Sequence, residues 1–171
     1  MSDVEFFSAR GRHGYLANYS RHGIRLYGMH WRTVEHYFQA QKFSIGSKIR
    51  SNIRAAKTPA KAKEIAKRNA KFYRRDWPLI REDVMRRAIQ AKFRQHPDLA
   101  RKLLATGGAR IVEHSIDDGY WGDGLDGKGL NRMGLLLMEL RDQMSLNRRR
   151  KRTRQIPRNG GNDGTTLRIP W

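Results

Sequence analysis

"DWPLIREDVMRRAIQAKFRQHPDLARKLLATGGARIVEHS", residues 76–115, decides the fold class. A proline directly after Trp77 suits a first helical turn, where the missing amide hydrogen would have had no partner. From there Ile80, Val84, Ala88 and Ala91 recur on one face, which predicts a long amphipathic helix. Pro97 opens a second helix that stops at the pair Gly107-Gly108. The short β-prone run "ARIVEHS" follows at once. Two helices running into a strand point to a mixed chain rather than a helical bundle.

The flanks agree. Thr58 followed by Pro59 is an N-cap and first-turn pair ahead of "AKAKEIAKRNAKF". Thr33 caps "VEHYFQAQKF", and Leu130 to Asn147 predict one more long helix. Upstream, "GYLANYSRHGIRLYGMHW" carries β-prone pieces broken by Gly14, Gly23 and Gly28, which suggests a hairpin. No internal repeat is visible. The expected fold is α+β, a mostly helical single domain with a small N-terminal β-sheet.

A chain of 171 residues suits one domain with a proper core. The formal charge of +20 should attract polyanions. Eight basic residues against Asp163 give the segment from Arg148 to Trp171 a net +7 and leave +13 on the rest. Like-charge repulsion and sparse apolar residues predict a tail without regular structure over 148–171, with residues 1–147 as the domain. That tail, through Arg148, Arg149, Arg150, Lys151, Arg152 and Arg154, is a candidate nucleic-acid arm. A merely solubilising role fits it equally well. No run approaches the roughly 20 apolar residues of a membrane span, and "MSDVEFFSARGRHG" lacks the apolar stretch of a secretory signal. The absence of cysteine fits a cytoplasmic protein.

Two polar features stand out. Glu35, Gln39 and Lys42 share one face of the first helix beside Val34, Tyr37, Phe38 and Ala40. Such a line reads either as a solvated stripe or as one wall of a site. The second is "SIDDGYWGDGLDGKGLN", residues 115–131, which sets aspartates and glycines around Trp121. Its acids lack the alternate spacing and closing glutamate of a calcium loop. Neither a phosphate-loop nor a dinucleotide pattern is present. Trp77, at a helix start, reads as core or as a platform for a base.

The segments "TVEHYFQAQKF", "DWPLIREDVMRRAIQAKFRQHPDLARKLLATGGARIVEHS" and "DDGYWGDGLDGKGLNRMGLLLMELR" resemble, in order and spacing, the YbiA-like N-glycosidases of the NADAR family. "GYLANYS" resembles that family's "LSNF" segment, with Ala17 and Tyr19 departing from it. The resemblance spans about residues 6 to 144. It implies hydrolysis of a bond between ribose C1 and a nitrogen. Two substrate classes come with it: ribosylaminopyrimidine phosphates of riboflavin biosynthesis, and ADP-ribose on a guanine base in nucleic acid or a free nucleotide.

The family's functional glutamate, tryptophan and aspartate fall on Glu35, Trp77 and Asp118, and its lysine on Lys42. The usual proline after the motif serine is replaced by Ile116. Glu35, Lys42 and Asp118 are therefore the expected catalytic residues. Asn18, Gln39, Trp77, Trp121, Gly122, Gly124 and Asn131 are expected to bind substrate. The chemistry suits these types, because a carboxylate stabilises the cationic sugar that forms as the base departs. A second acid or a lysine can protonate the leaving nitrogen or activate water. A desolvated lysine can instead attack an opened sugar. The glycines are expected to leave room for phosphates. The scheme needs neither metal nor cofactor. The overall charge favours ADP-ribosyl-guanine in nucleic acid over the pyrimidine intermediates. A non-catalytic nucleic-acid-binding module is the alternative from another class, and the retained acids argue against it.

Overall fold

A computed structural model describes residues 2–154 of the chain. In chain order the elements are β1 (Val4–Phe6), β2 (Ile24–Leu26), β3 (Met29–Trp31), α1 (Val34–Ala40), α2 (Lys48–Ala55), α3 (Pro59–Arg68), α4 (Trp77–Gln95), α5 (Pro97–Ala105), β4 (Ile111–Glu113) and α6 (Arg132–Arg154). The expected α+β class, dominated by helices, is what the molecule shows.

The start signals act as the residue types dictate. Thr33 accepts the His36 amide at 3.3 Å and Thr58 accepts the Lys61 amide at 3.1 Å. Pro59, Pro78 and Pro97 each sit in the first turn of their helices. Helix α1 stops sooner than its pattern suggests. After Ala40 the chain tightens into i to i+3 bonds, Lys42 to Gln39 and Phe43 to Ala40, which places Lys42 just past the helix end.

The sheet is split in two. β2 and β3 form the expected hairpin, narrower than its glycines suggested, and Gly14 lies in a 3₁₀ turn instead. Its turn residues Tyr27 and Gly28 both have positive φ, 52° and 73°, as the tight turn of a twisted hairpin requires. β1, not foreseen from sequence, pairs in parallel with β4, Val4 opposite Ile111 and Phe6 opposite Glu113. Two strands about a hundred residues apart in sequence are thereby brought together. The core between the layers contains Trp31, Tyr37, Phe43, Met85, Ile89, Phe93, Leu99 and Leu103, with Met133, Leu136, Leu137 and Leu140 from α6.

The boundary expected at Asn147 falls inside α6, which continues through Arg154. Arginine and lysine are good helix formers, and cations near a helix C-terminus are favoured by its dipole. These terms outweigh the like-charge repulsion over residues 148–154. The remainder of the expected tail lies outside the described residues. Among the described residues, no helix is long and apolar enough to cross a membrane.

Candidate active site

Helix α1 packs against α2, α3 and α4, and its polar face looks into a cavity of about 190 Å³. Asn18, Glu35, Gln39, Lys42, Asp118 and Trp121 all line it, so the structure gathers residues spread over a hundred positions of sequence. Tyr19, Phe38, Lys63, Met85, Glu113 and Ser115 complete the wall.

Glu35 is buried, and its backbone amide donates to the Asn18 carbonyl at 3.2 Å. Burial pushes its carboxyl pKa up, and nearby Asp118 adds to that. The Gln39 amide, donating at 2.8 Å, and the ammonium groups of Lys63 and Lys42 pull the other way. Glu113, from β4, is pushed up to about 7 by burial and by Glu35 and Asp118. Tyr19 is driven well above its ordinary range by burial and the same two glutamates, so its hydroxyl stays protonated as a donor. Lys42 is shifted down by burial, partly offset by Glu35. Its ammonium sits among three rings, 5.0 Å from Tyr73, 5.6 Å from Phe38 and 5.8 Å from Trp77.

Asp118 is fixed by its own loop. Its Oδ1 accepts the amides of Tyr120 at 3.0 Å and Trp121 at 2.9 Å, a local turn made by a short acidic side chain. The Trp121 ring meets Phe38 edge-on at 5.4 Å, between the loop and α1. Two acceptors in the cavity, Asn18 Oδ1 and Gln39 Oε1, are buried with no partner among the described residues. Buried acceptors of this kind are costly unless something donates to them, and sugar hydroxyls have the matching chemistry.

Four expected substrate residues lie off the cavity wall. Trp77 is buried against Phe38 at 5.0 Å and reaches the site through the Lys42 cage. Asn131, at φ 46°, staples β4 to the loop: its Nδ2 donates to Ile111 O at 2.8 Å and its Oδ1 accepts from the Glu113 amide at 3.0 Å. Gly122 has a packing role, since a Cβ there would lie 2.7 Å from the Glu113 carbonyl oxygen. Its amide is already used on Asp118 O at 3.1 Å, and its own oxygen receives the Asn131 amide at 2.9 Å. Gly124 supplies a positive φ of 68° for the turn. The glycines therefore shape the loop first.

Sequence reasoning missed Lys63, Glu113 and Tyr19. An acid ending the apolar strand "RIVE" is a signal that could have exposed Glu113. Lys63 is one of several lysines on α3, and only the packing of α3 on α1 singles it out.

Known proteins share this fold and much of this sequence. Residues 3–145 match the NADAR domain. The N-glycosidase YbiA of Escherichia coli (strain K12) is 45% identical over 143 residues, covering 84% of this chain and 89% of the relative. The NMR structure of E. coli YbiA superposes with a TM-score of 0.78 at 44% identity, covering 86% of this chain and 89% of that one. A riboflavin biosynthesis protein of Vibrio vulnificus (strain YJ016) is 38% identical over 141 residues, covering 82% of this chain and 38% of that protein. With the family matched over nearly the whole described domain, the chain belongs to the NADAR domain family and is an N-glycosidase, a hydrolase of N-glycosyl bonds.

Proposed function

We propose that the chain removes ADP-ribose from a guanine base in nucleic acid, by hydrolysis of the bond between ribose C1 and the base nitrogen. The gathering of Glu35, Glu113 and Asp118 with Lys42 and Lys63 in one cavity carries the reading. Burial favours the protonated Glu35 carboxyl, which suits a general acid. Glu35 gives its proton to the leaving guanine nitrogen as the C1–N electron pair departs with the base. Asp118, held by two amides, faces the cationic sugar and takes a proton from the water that adds to C1. Tyr19 donates to the sugar, and the free acceptors of Asn18 and Gln39 receive its hydroxyls.

The substrate assignment rests on what lies beside the sugar site. The catalytic cavity adjoins a groove of about 560 Å³, with which it shares Asn18, Tyr19, Lys63, Glu113 and Ser115. That groove has room for a diphosphate and a second nucleoside, which a ribosylated pyrimidine monophosphate leaves unfilled. The Vibrio relative's name favours the other reading, a ribosylaminopyrimidine phosphate. Incubation with both substrate types, followed by mass spectrometry of the released base, decides between them. Guanine release from ADP-ribosylated guanosine with the pyrimidine intermediate intact is the expected result. The reverse pattern overturns the assignment.

A further inference from the structure

Tyr19 borders the catalytic cavity and also a second opening of about 520 Å³, whose lining includes Arg10, Arg21, His22 and Tyr15 but no acid. Tyr15 is in turn shared with a further cavity of about 710 Å³, where Arg12 and Lys102 stand. The ammonium of Lys102 lies 5.7 Å from the Tyr15 ring centroid. The acid there, Asp3, is occupied by Arg110 at 3.6 Å. Two half-buried tyrosines are thus spaced along a concave path with cations beside them. Neither Arg12 nor Lys102 takes any part in the catalytic cavity described above.

We infer that a single strand of nucleic acid runs from Tyr19 at the cavity mouth over Tyr15 to Arg12 and Lys102. The chemistry asks for this ligand in three ways. Aromatic faces in a groove stack on bases of any sequence, and interleaved cations follow the phosphates. Among the residues that line the two openings the one acid is Asp3, itself paired, which favours a polyanion over a protein of mixed charge. The net charge of +20 supplies the field that concentrates one. Duplex nucleic acid does not fit, because its bases are stacked on each other and leave the tyrosines nothing to cover. The path rests on the reading of the catalytic cavity given above only for where the strand begins. It is separate from the basic residues of α6.

The test uses the full chain and a fluorescein-labelled, unmodified single-stranded oligonucleotide of about 12 nucleotides, within the ~4–16 that such a groove covers. Arg12 and Lys102 are both exposed, so the double variant Arg12→Glu, Lys102→Glu should fold. Its affinity should fall on the order of tenfold at low salt. The slope of log affinity against log salt should drop by about 1.4, for two phosphate contacts at ~0.7 each. Release of guanine from ADP-ribosylated guanosine should be unchanged. An oligonucleotide carrying 5-iodouracil should photocrosslink to Tyr15 or Tyr19 of the unaltered protein. Unchanged affinity and slope, or crosslinks only to α6, would overturn the path. Equal loss of mononucleotide turnover would also overturn it, because the two residues would then belong to the fold or the catalytic site. If no ribosylated guanine is cleaved while oligonucleotide binding still depends on Arg12 and Lys102, the path stands and the proposed reaction falls.

Discussion

Gln39 donates its Nε2 to Glu35 Oε1 across 2.8 Å, one turn apart on α1, with both side chains buried. This bond lowers the Glu35 pKa while burial raises it. The ionised carboxylate is the form that accepts the amide. Gln39→Leu removes that support, so the acid form should persist to higher pH. With Glu35 as the general acid, the basic limb of the pH profile of kcat/KM should move upward, and titration of the variant against the parent reads it. A limb that stays put or moves down would mean that Glu35 is not the proton donor.

Removing the acids themselves should be far more damaging. Glu35→Gln or Asp118→Asn should each lower kcat by ~10²–10⁴, the usual range for acid–base groups. Both are near-isosteric, so the melting temperature should change little. Full activity of both variants on a ribosylated substrate would remove these residues from the mechanism.

The helix starts were legible because Thr and Pro act within one turn of where they stand, as at Thr58 and Pro59. The shared cavity face of α1 was legible for a similar reason, since helical spacing alone aligns Glu35 and Gln39. The β1–β4 pair was not. Val4–Phe6 and Ile111–Glu113, about a hundred residues apart, meet only because the helical layer brings them together, and neither segment records its partner. Asn131 was expected at the substrate from its place in a polar loop, and its side-chain hydrogen bonds to β4 could not be read from that place. Lys42 lines the cavity as its spacing from Glu35 suggests, but its aromatic surroundings come from three separate segments and could not be read from spacing.

Those surroundings bear on its chemistry. A lysine whose pKa burial has lowered offers more free amine, the nucleophilic form. After water has added to C1, the ring-opened sugar product carries an aldehyde that can condense with Lys42 with loss of water. Borohydride added during turnover should trap that imine, seen as added mass on the Lys42 peptide. Lys42→Arg should abolish the adduct. No adduct, with the arginine variant still active, would make Lys42 a phosphate contact.

Gly122 tests whether the loop is shaped by contact or by conformation. An added Cβ would lie 2.7 Å from both the Glu113 carbonyl oxygen and the Ser115 Cβ. Gly122→Ala should cost ~1–3 kcal/mol, as overpacking does, and should lower activity by displacing Glu113. Gly108→Ala is the control, because nothing lies within 4 Å of its added Cβ. Thermal melts of the two variants should separate clearly. Equal melting temperatures would show that the loop yields without strain.

The strongest stability effect should come from Lys92. It enters the core from α4 with 1% of its surface exposed, and it donates to the Ala17 carbonyl at 3.0 Å. Burial pushes its pKa from 10.5 down to about 7. Below about pH 7 both folded and unfolded chains hold the proton, so the cost of the buried charge is fully present. Between about 7 and 10.5 the unfolded chain binds more protons than the folded one, and stability must rise with pH. Lys92→Met fills similar space without the charge. The Ala17 oxygen is not orphaned, because the Ser20 amide also donates to it at 3.1 Å. His22 lies close by, its pKa lowered by burial and by the Lys92 charge, and it remains in the variant. The methionine variant should therefore melt higher than the parent at pH 7, by about 2–4 °C for each kcal/mol relieved. The gap should narrow steadily toward pH 9 as the parent gains stability and the variant does not. Parallel curves across that range would mean that burial has not lowered the Lys92 pKa. A variant less stable at every pH would mean that the Lys92–Ala17 bond is worth more than the buried charge costs.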